Sequence, residues 1–69
     1  MRNKMNLDMG VLMTDVKGTN VITLDLGISE RGDPIYGISW FNGRQWGATP
    51  TFEYFNDAYA MYKLIRRMI

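Results

Sequence analysis

The chain has 69 residues, 46% of them hydrophobic, with a formal net charge of +1, no cysteine and no histidine. This composition excludes disulfide bonds and ordinary zinc sites, and its charge lacks the basic excess that is usual in nucleic-acid-binding domains. No apolar run reaches the about 20 residues of a membrane span, and the N-terminus lacks the apolar segment of a secretory signal, so we expect one small cytoplasmic domain, residues 1–69.

The first predicted element is a hairpin of two strands, about residues 7–16 and 21–28, joined by a turn at Gly18-Thr19. Glycine at the first central position fits a type II′ turn, where φ is positive. In this register one apolar face alternates along both strands, which favours a core on that side. The predicted pairs on the core face are Met13 with Leu24, Val11 with Leu26 and Met9 with Ile28.

A helix over about residues 4–16 is the alternative for the first strand. Methionines recur every four residues from Met5 to Met13, and that spacing also fits one face of a helix. Gly10 in the middle would cost a helix about 1 kcal/mol relative to alanine. We favour the strand because its partner, residues 21–28, has a clear strand pattern.

A second hairpin is predicted for about residues 35–41 and 44–48, around the Asn42-Gly43 pair. Asn-Gly between β-favouring segments is the strongest short-range signal for a two-residue type I′ turn. The turn would place the two tryptophans on opposite faces of the sheet, one in the core and one outside. The predicted pairs are Phe41 with Arg44, Trp40 with Gln45 and Ser39 with Trp46.

The two hairpins are predicted to join into one sheet with a continuous apolar face. Pro50 interrupts the fourth strand because proline cannot donate to a ladder, and residues 51–54 can resume an extended conformation. The predicted pairs between the second and third strands are Ile28 with Tyr36, Leu26 with Ile38 and Leu24 with Trp40.

The C-terminal segment, about residues 56–68, is predicted to be an amphipathic helix. Asn56 would be its N-cap, and Asp57 would place a negative charge in the first turn. The predicted fold is therefore α+β: three or four antiparallel strands with one C-terminal helix packed on one face. The apolar stripe has three- and four-residue spacing and contains Ala58, Met61, Ile65 and Met68, widened by Phe55, Tyr62 and Leu64.

The spacing of Phe52, Ala58 and Tyr62 resembles the end of the ethylene-response-factor type DNA-binding domain of plants. It is also similar to the arm-type domains of some phage and transposon integrases. In both families a phenylalanine closes a three-stranded sheet, and an alanine and an aromatic residue follow in the helix. The resemblance implies a sheet that reads DNA through arginines and tryptophans on its strands, which here would be Arg44 and Trp46.

No catalytic, cofactor-binding or metal site is predicted. Without histidine and cysteine, acid–base chemistry would need carboxylates, lysines or tyrosines with shifted pKa values. The predicted register sets Asp15 and Asp25 on opposite faces, so we interpret them as solvent-facing polarity that protects the sheet against aggregation. The glycines follow no nucleotide-binding fingerprint. We therefore expect a protein that is not an enzyme and needs no cofactor.

The candidate binding surface is the outward face of the sheet, where Phe41, Arg44 and Trp46 would cluster beside Val16 and Val21. Tryptophan and arginine dominate the hot spots of protein interfaces, and aromatic residues on an open sheet can also stack on nucleic-acid bases. The alternative is that the chain covers these aromatic residues itself, with its N-terminal segment or with residues 48–55.

Arg66 and Arg67 are secondary candidates for partner contact, although the helix macrodipole favours cations in a last turn in any case. The leading hypothesis is a non-enzymatic protein-binding module, with a host factor or a second copy as partner. Its small size and lack of catalytic motifs are similar to accessory proteins of phages and mobile elements, which include inhibitors or adaptors of host factors such as defence nucleases. The alternative is a sheet-based DNA- or RNA-binding domain of the integrase-arm type.

Overall fold

A computed structural model describes residues 10–69 of the chain. Four strands form one antiparallel sheet in the order β1-β2-β3-β4, and one helix packs on one face of it. The predicted α+β fold with a C-terminal helix is confirmed. The elements are β1 Gly10–Lys17, β2 Asn20–Ile28, β3 Pro34–Phe41, β4 Trp46–Ala48 and α1 Phe55–Met68.

The core lies between α1 and the two central strands. Each fully buried aliphatic side chain contributes about 1.5–3 kcal/mol, so a core of this size makes a stable but small domain. Its fully buried members are Ile22, Leu24, Ile38, Ala58 and Tyr62. Half-buried hydrophobic side chains surround them: Met13, Tyr36, Trp40, Phe52, Met61, Ile65 and Ile69.

The first hairpin has the predicted turn and the predicted pair Met13–Leu24, and Gly18 has a φ of 64°. Gly10–Lys17 is a strand rather than a helix. The rest of the alternative helix, and the pair that involves Met9, lie outside the described residues. A β-bulge between Val11 and Met13 then changes the register.

The predicted pair Val11–Leu26 is wrong because of this bulge. Leu12 is the extra residue, so Val11 pairs with Asp25 and Gly10 with Leu26. One extra residue reverses the alternation of faces, and Val11 therefore lies on the face away from the helix, where it is 60% exposed. A bulge in an edge strand also makes that edge a poorer template for aggregation.

The predicted pairing of β2 with β3 is wrong by two residues: Leu24 pairs with Ile38, and Ile22 pairs with Trp40. The loop before β3 is tightly closed, because the Ser29 hydroxyl accepts hydrogen bonds from the backbone N–H groups of Arg31 and Asp33. The strand therefore begins at Pro34. A shift of two residues keeps every side chain on its predicted face, so the core face contains the predicted residues.

The predicted two-residue turn at Asn42-Gly43 is also wrong, and β4 begins at Trp46 rather than at residue 44. The side-chain oxygen of Asn42 accepts hydrogen bonds from the N–H groups of Arg44 and Gln45, at 2.9 and 2.8 Å. These bonds compete with the ladder and lengthen the connection to four residues, with Gly43 at a φ of 95°. Phe41 consequently pairs with Trp46, again a shift of two residues.

The helix begins at Phe55, and its N-cap is Tyr54, which makes no side-chain cap; the predicted N-cap at Asn56 is wrong. Two backbone hydrogen bonds, of 2.9 and 2.7 Å, tie Phe52 to Tyr36 of β3 just before the helix. The ring of Phe55 then packs against Tyr36, with the centroids 5.7 Å apart. The helix therefore begins two residues earlier than it would with Asn56 as its N-cap.

The indole of Trp40 lies across Gly47 of β4, on the helix side of the sheet. A Cβ atom at residue 47 would lie 2.1 Å from the Trp40 ring, whereas a Cβ atom at Gly10 would have no atom within 4 Å. The inner surface of β4 is therefore covered by a side chain from β3.

We predict that Gly47→Ala lowers the free energy of unfolding by about 1–3 kcal/mol, because the new methyl group forces Trp40 out of its position. Gly10→Ala is the matched control and should change it by no more than about 0.5 kcal/mol. Urea unfolding followed by circular dichroism measures both. Equal stability of the two variants would contradict the described packing of Trp40.

Candidate functional site

The sheet face opposite the helix, here called the outer face, carries a continuous row of apolar side chains across all four strands. The strand register pairs Val16 with Val21, Val21 with Phe41, and Phe41 with Trp46. We call these four residues the apolar row; at about 4.8 Å per strand, it is about 14 Å long. The side chain of Trp46 is 76% exposed.

The apolar row ends in an aromatic pair. The ring centroids of Phe41 and Trp46 are 5.7 Å apart, and the rings are tilted by 51°. A shallow cleft of about 110 Å³ lies beside them, with Val21, Thr23 and Ser39 in its lining. The pair thus offers a large apolar surface with fixed geometry.

A second row, here called the hydroxyl row, runs beside the apolar row. The hydroxyls of Thr23 and Ser39 donate to Oδ2 of Asp25 at 3.3 and 3.1 Å. Asp25, which lies one row further along, therefore has hydrogen-bond partners within the sheet and is not a free carboxylate. The strand register pairs Thr14 with Thr23 and Thr23 with Ser39, which form the hydroxyl row, and Ala48 continues this row on β4.

The structure brings the predicted residues Phe41 and Trp46 together, and it places Arg44 differently from the prediction. Arg44 is exposed in the β3–β4 turn, between β3 and Trp46, rather than on a strand opposite Phe41. The segment after β4 runs along β3, with the Thr49 N–H bonded to the Ile38 carbonyl at 2.9 Å. That segment leaves the Trp46 side chain exposed.

Arg66 and Arg67 lie on the helix, and Arg66 contacts β1. Its Nη1 is 3.5 Å from Oδ2 of Asp15, and the Lys17 ammonium donates to the Arg66 carbonyl at 2.9 Å. Arg67 is exposed. The two arginines are thus not part of the outer face, and one of them helps to hold the helix to the edge strand.

The sequence analysis interpreted Asp15 as a solvent-facing residue, and this interpretation is wrong. It lies on the helix side of β1, and its Oδ2 accepts a hydrogen bond of 2.6 Å from the hydroxyl of Tyr62. The signal was present in the sequence, because the alternation that turns Met13 inward also turns Asp15 inward. Burial and this hydrogen bond raise the pKa of Tyr62 well above its usual value near 10.

Most of the charged side chains outside the middle of the sheet and helix lie near one of the two ends of the sheet. The two turns lie together at one end, since a Cβ atom on Gly43 would be 3.4 Å from that of Thr19. This basic end holds Lys17, Arg44, Arg66 and Arg67 together with Asp15. The opposite, acidic end holds Glu30, Asp33, Glu53 and Asp57 together with Arg31.

Comparison with known protein families, with curated proteins and with solved structures gave no match. Between residues 10 and 69, no helix is long and apolar enough to cross a membrane. The functional argument therefore depends on the geometry of the outer face.

We predict that the free energy of unfolding falls above pH 10 by up to about 1.4 kcal/mol per pH unit because of Tyr62. The unfolded chain loses the tyrosine proton near pH 10 while the folded chain keeps it, so rising pH favours unfolding. Tyr62→Phe should lower the free energy of unfolding at pH 8 by about 1–3 kcal/mol. The free energy of unfolding of this variant should then fall less steeply above pH 10 than that of the wild type.

Urea unfolding between pH 8 and pH 11 measures these slopes. Tyr54→Phe is the control, because Tyr54 is 67% exposed and this variant retains the Tyr62 hydroxyl. It should keep the steep decline of the wild type. Equal slopes for the wild type and Tyr62→Phe would show that the Tyr62 proton is not held by the fold.

Proposed function

We propose that this chain is a non-enzymatic protein-binding module whose contact surface is the outer face, centred on the apolar row. The observation that carries the proposal is Trp46, 76% exposed beside Phe41 at the end of that row. Large exposed apolar patches mark interaction sites, and tryptophan is among the residues that contribute most to protein interfaces.

The charges of the outer face favour a protein over a nucleic acid as partner. Asp25 lies on this face, and Arg44 is exposed in the turn between β3 and β4. A surface that binds a phosphate backbone needs several cations on the side that meets it. Arg66 and Arg67 lie on the helix, on the other side of the sheet.

The proposed partner is a host factor, such as a defence nuclease, that a phage or mobile-element accessory protein would inhibit or recruit. The exposed Trp46 beside Phe41 supports a protein as the partner. A second candidate function is binding of single-stranded nucleic acid, which the aromatic pair Phe41–Trp46 next to Arg44 favours, because such pairs stack on bases.

We predict that Trp46→Ala weakens binding to the captured partner about thirtyfold, equivalent to about 2 kcal/mol, while changing the free energy of unfolding by less than about 1 kcal/mol. The partner would be captured from the native host with the wild-type chain and its affinity then measured by calorimetry. Tyr54→Ala, which removes a 67% exposed aromatic residue from the acidic end, is the matched control and should bind normally.

Three results would contradict the proposal. If Trp46→Ala unfolds the domain, Trp46 belongs to the core. If it binds the partner as tightly as the wild type, the contact surface lies elsewhere. If the wild type shifts a DNA or RNA probe at physiological salt, with an affinity that falls steeply as salt rises, the nucleic-acid function replaces the proposed one.

A further inference from the structure

We infer that two copies of this chain pair through the exposed side of α1, with the two helices running in opposite directions. The inference does not depend on the proposed function, because α1 lies on the side of the sheet away from the outer face. Three observations support a second copy as the occupant: exposed apolar side chains on the helix, opposite charges at its two ends, and a large side chain next to a small one in its middle.

The exposed side of α1 carries apolar side chains that the sheet does not cover. Ala58 is fully buried against the sheet, whereas Ala60, about 200° further around the helix, is exposed on the opposite side. Leu64 is 49% exposed and Met68 is 75% exposed. Residues three and four apart are neighbours on a helix, so these side chains lie in one line. We call this line the helix stripe; it consists of Asp57, Ala60, Leu64, Arg67 and Met68.

The two ends of the helix stripe carry opposite charges. Asp57 lies in the first turn and Arg67 in the last turn, and both are exposed. The ion pair formed within residues 10–69 joins Arg66 to Asp15. Neither Asp57 nor Arg67 therefore has an oppositely charged partner among the described residues. A surface that is acidic at one end and basic at the other is complementary to a copy of itself related by a two-fold axis.

These charges select the antiparallel arrangement. If the two helices ran in the same direction, each Asp57 would lie beside the other Asp57, and each Arg67 beside the other Arg67. In the antiparallel arrangement, Asp57 of each copy lies beside Arg67 of the other, and the two-fold axis makes this contact twice. The helix macrodipoles favour the same arrangement, since the positive end of each helix then meets the negative end of the other.

The side-chain sizes fit the register that the charges set. Tyr62 is the midpoint between Asp57 and Arg67 along the helix, and it is also the midpoint between Ala60 and Leu64. The charge pairing therefore places Leu64 of one copy over Ala60 of the other. The small Ala60 leaves room for the leucine, so the two helix axes can approach to about 8 Å. A second copy thus matches the helix stripe both in charge and in shape.

The dimer has its two helices in the middle and one sheet on each outside. Two helices of 14 residues cover less than the about 800 Å² per partner of a standard interface, so we expect a weak dimer with a Kd of about 10–500 µM. Both outer faces stay exposed. Under the proposed function, the dimer binds two partner molecules, or binds one partner with two sites more tightly than the monomer does.

The test is sedimentation equilibrium of the purified chain from about 1 µM to about 1 mM, at low salt so that surface charges are not screened. We expect the mass to rise with concentration from 8.0 kDa toward twice that value. Ala60→Glu should weaken the dimer about tenfold, because it places two carboxylates in the middle of the contact and changes an exposed position. Ala48→Glu makes the same change at an exposed position of β4 and should leave the dimer unchanged.

A charge exchange tests the antiparallel register. Asp57→Lys and Arg67→Glu should each weaken the dimer about tenfold, since each variant brings two pairs of like charges together. The double variant Asp57→Lys with Arg67→Glu restores opposite charges and should recover the wild-type dimer. Circular dichroism checks that each variant is folded, because both exchanges oppose the helix macrodipole.

A mass of 8.0 kDa at every concentration would overturn the inference. A dimer that Ala48→Glu weakens and Ala60→Glu does not would also overturn it, because the contact would then lie on the outer face. A folded double variant that dimerises as weakly as the single variants would overturn the antiparallel helix pair. If the double variant unfolds, the comparison of Ala60→Glu with Ala48→Glu decides. Failure of the proposed function would appear separately, as unchanged partner binding by Trp46→Ala.

Discussion

A single helix of 14 residues has to cover a four-stranded sheet, and it is too narrow to do so. An α-helix is about 10 Å wide, whereas the sheet measures about 14 Å between its outer strands, and it has two faces. The helix lies over the two central strands, β2 and β3, which supply all of the fully buried strand residues. The helix therefore leaves the inner side of both edge strands uncovered. It also leaves the whole outer face uncovered.

On the covered face, long side chains extend the reach of the core to both edges. Trp40 of β3 lies across Gly47, so β4 is covered without a contact from the helix. At the other edge, Tyr62 extends from the helix to Asp15 of β1, and Arg66 contacts the same carboxylate. Tyr62 thereby fills the core with its ring and satisfies a carboxylate with its hydroxyl, which an aliphatic residue could not do.

Side-chain alternation was predictable from the sequence, whereas strand register was not. Trp40 was correctly predicted to face the core and Trp46 to face outward, although both pairings involved were wrong by two residues, because an even shift preserves the face. The bulge at Leu12 is an odd shift and therefore reversed the prediction for Val11. Register depended on side chain-to-backbone bonds in the loops, those of Ser29 and Asn42, which the turn patterns alone do not specify.

The covering of β4 by Trp40 explains why residue 46 faces outward. It does not explain why residue 46 is a tryptophan. Once Trp40 occupies the space at residue 47, only glycine fits there, and alternation turns residue 46 away from the core. A threonine or valine would satisfy an exposed strand position equally well, and neither would leave a large ring in water. The fold therefore explains where residue 46 points but gives no reason for tryptophan at that position. A contact with a second molecule supplies one, since it would bury the ring of Trp46 together with the rest of the apolar row.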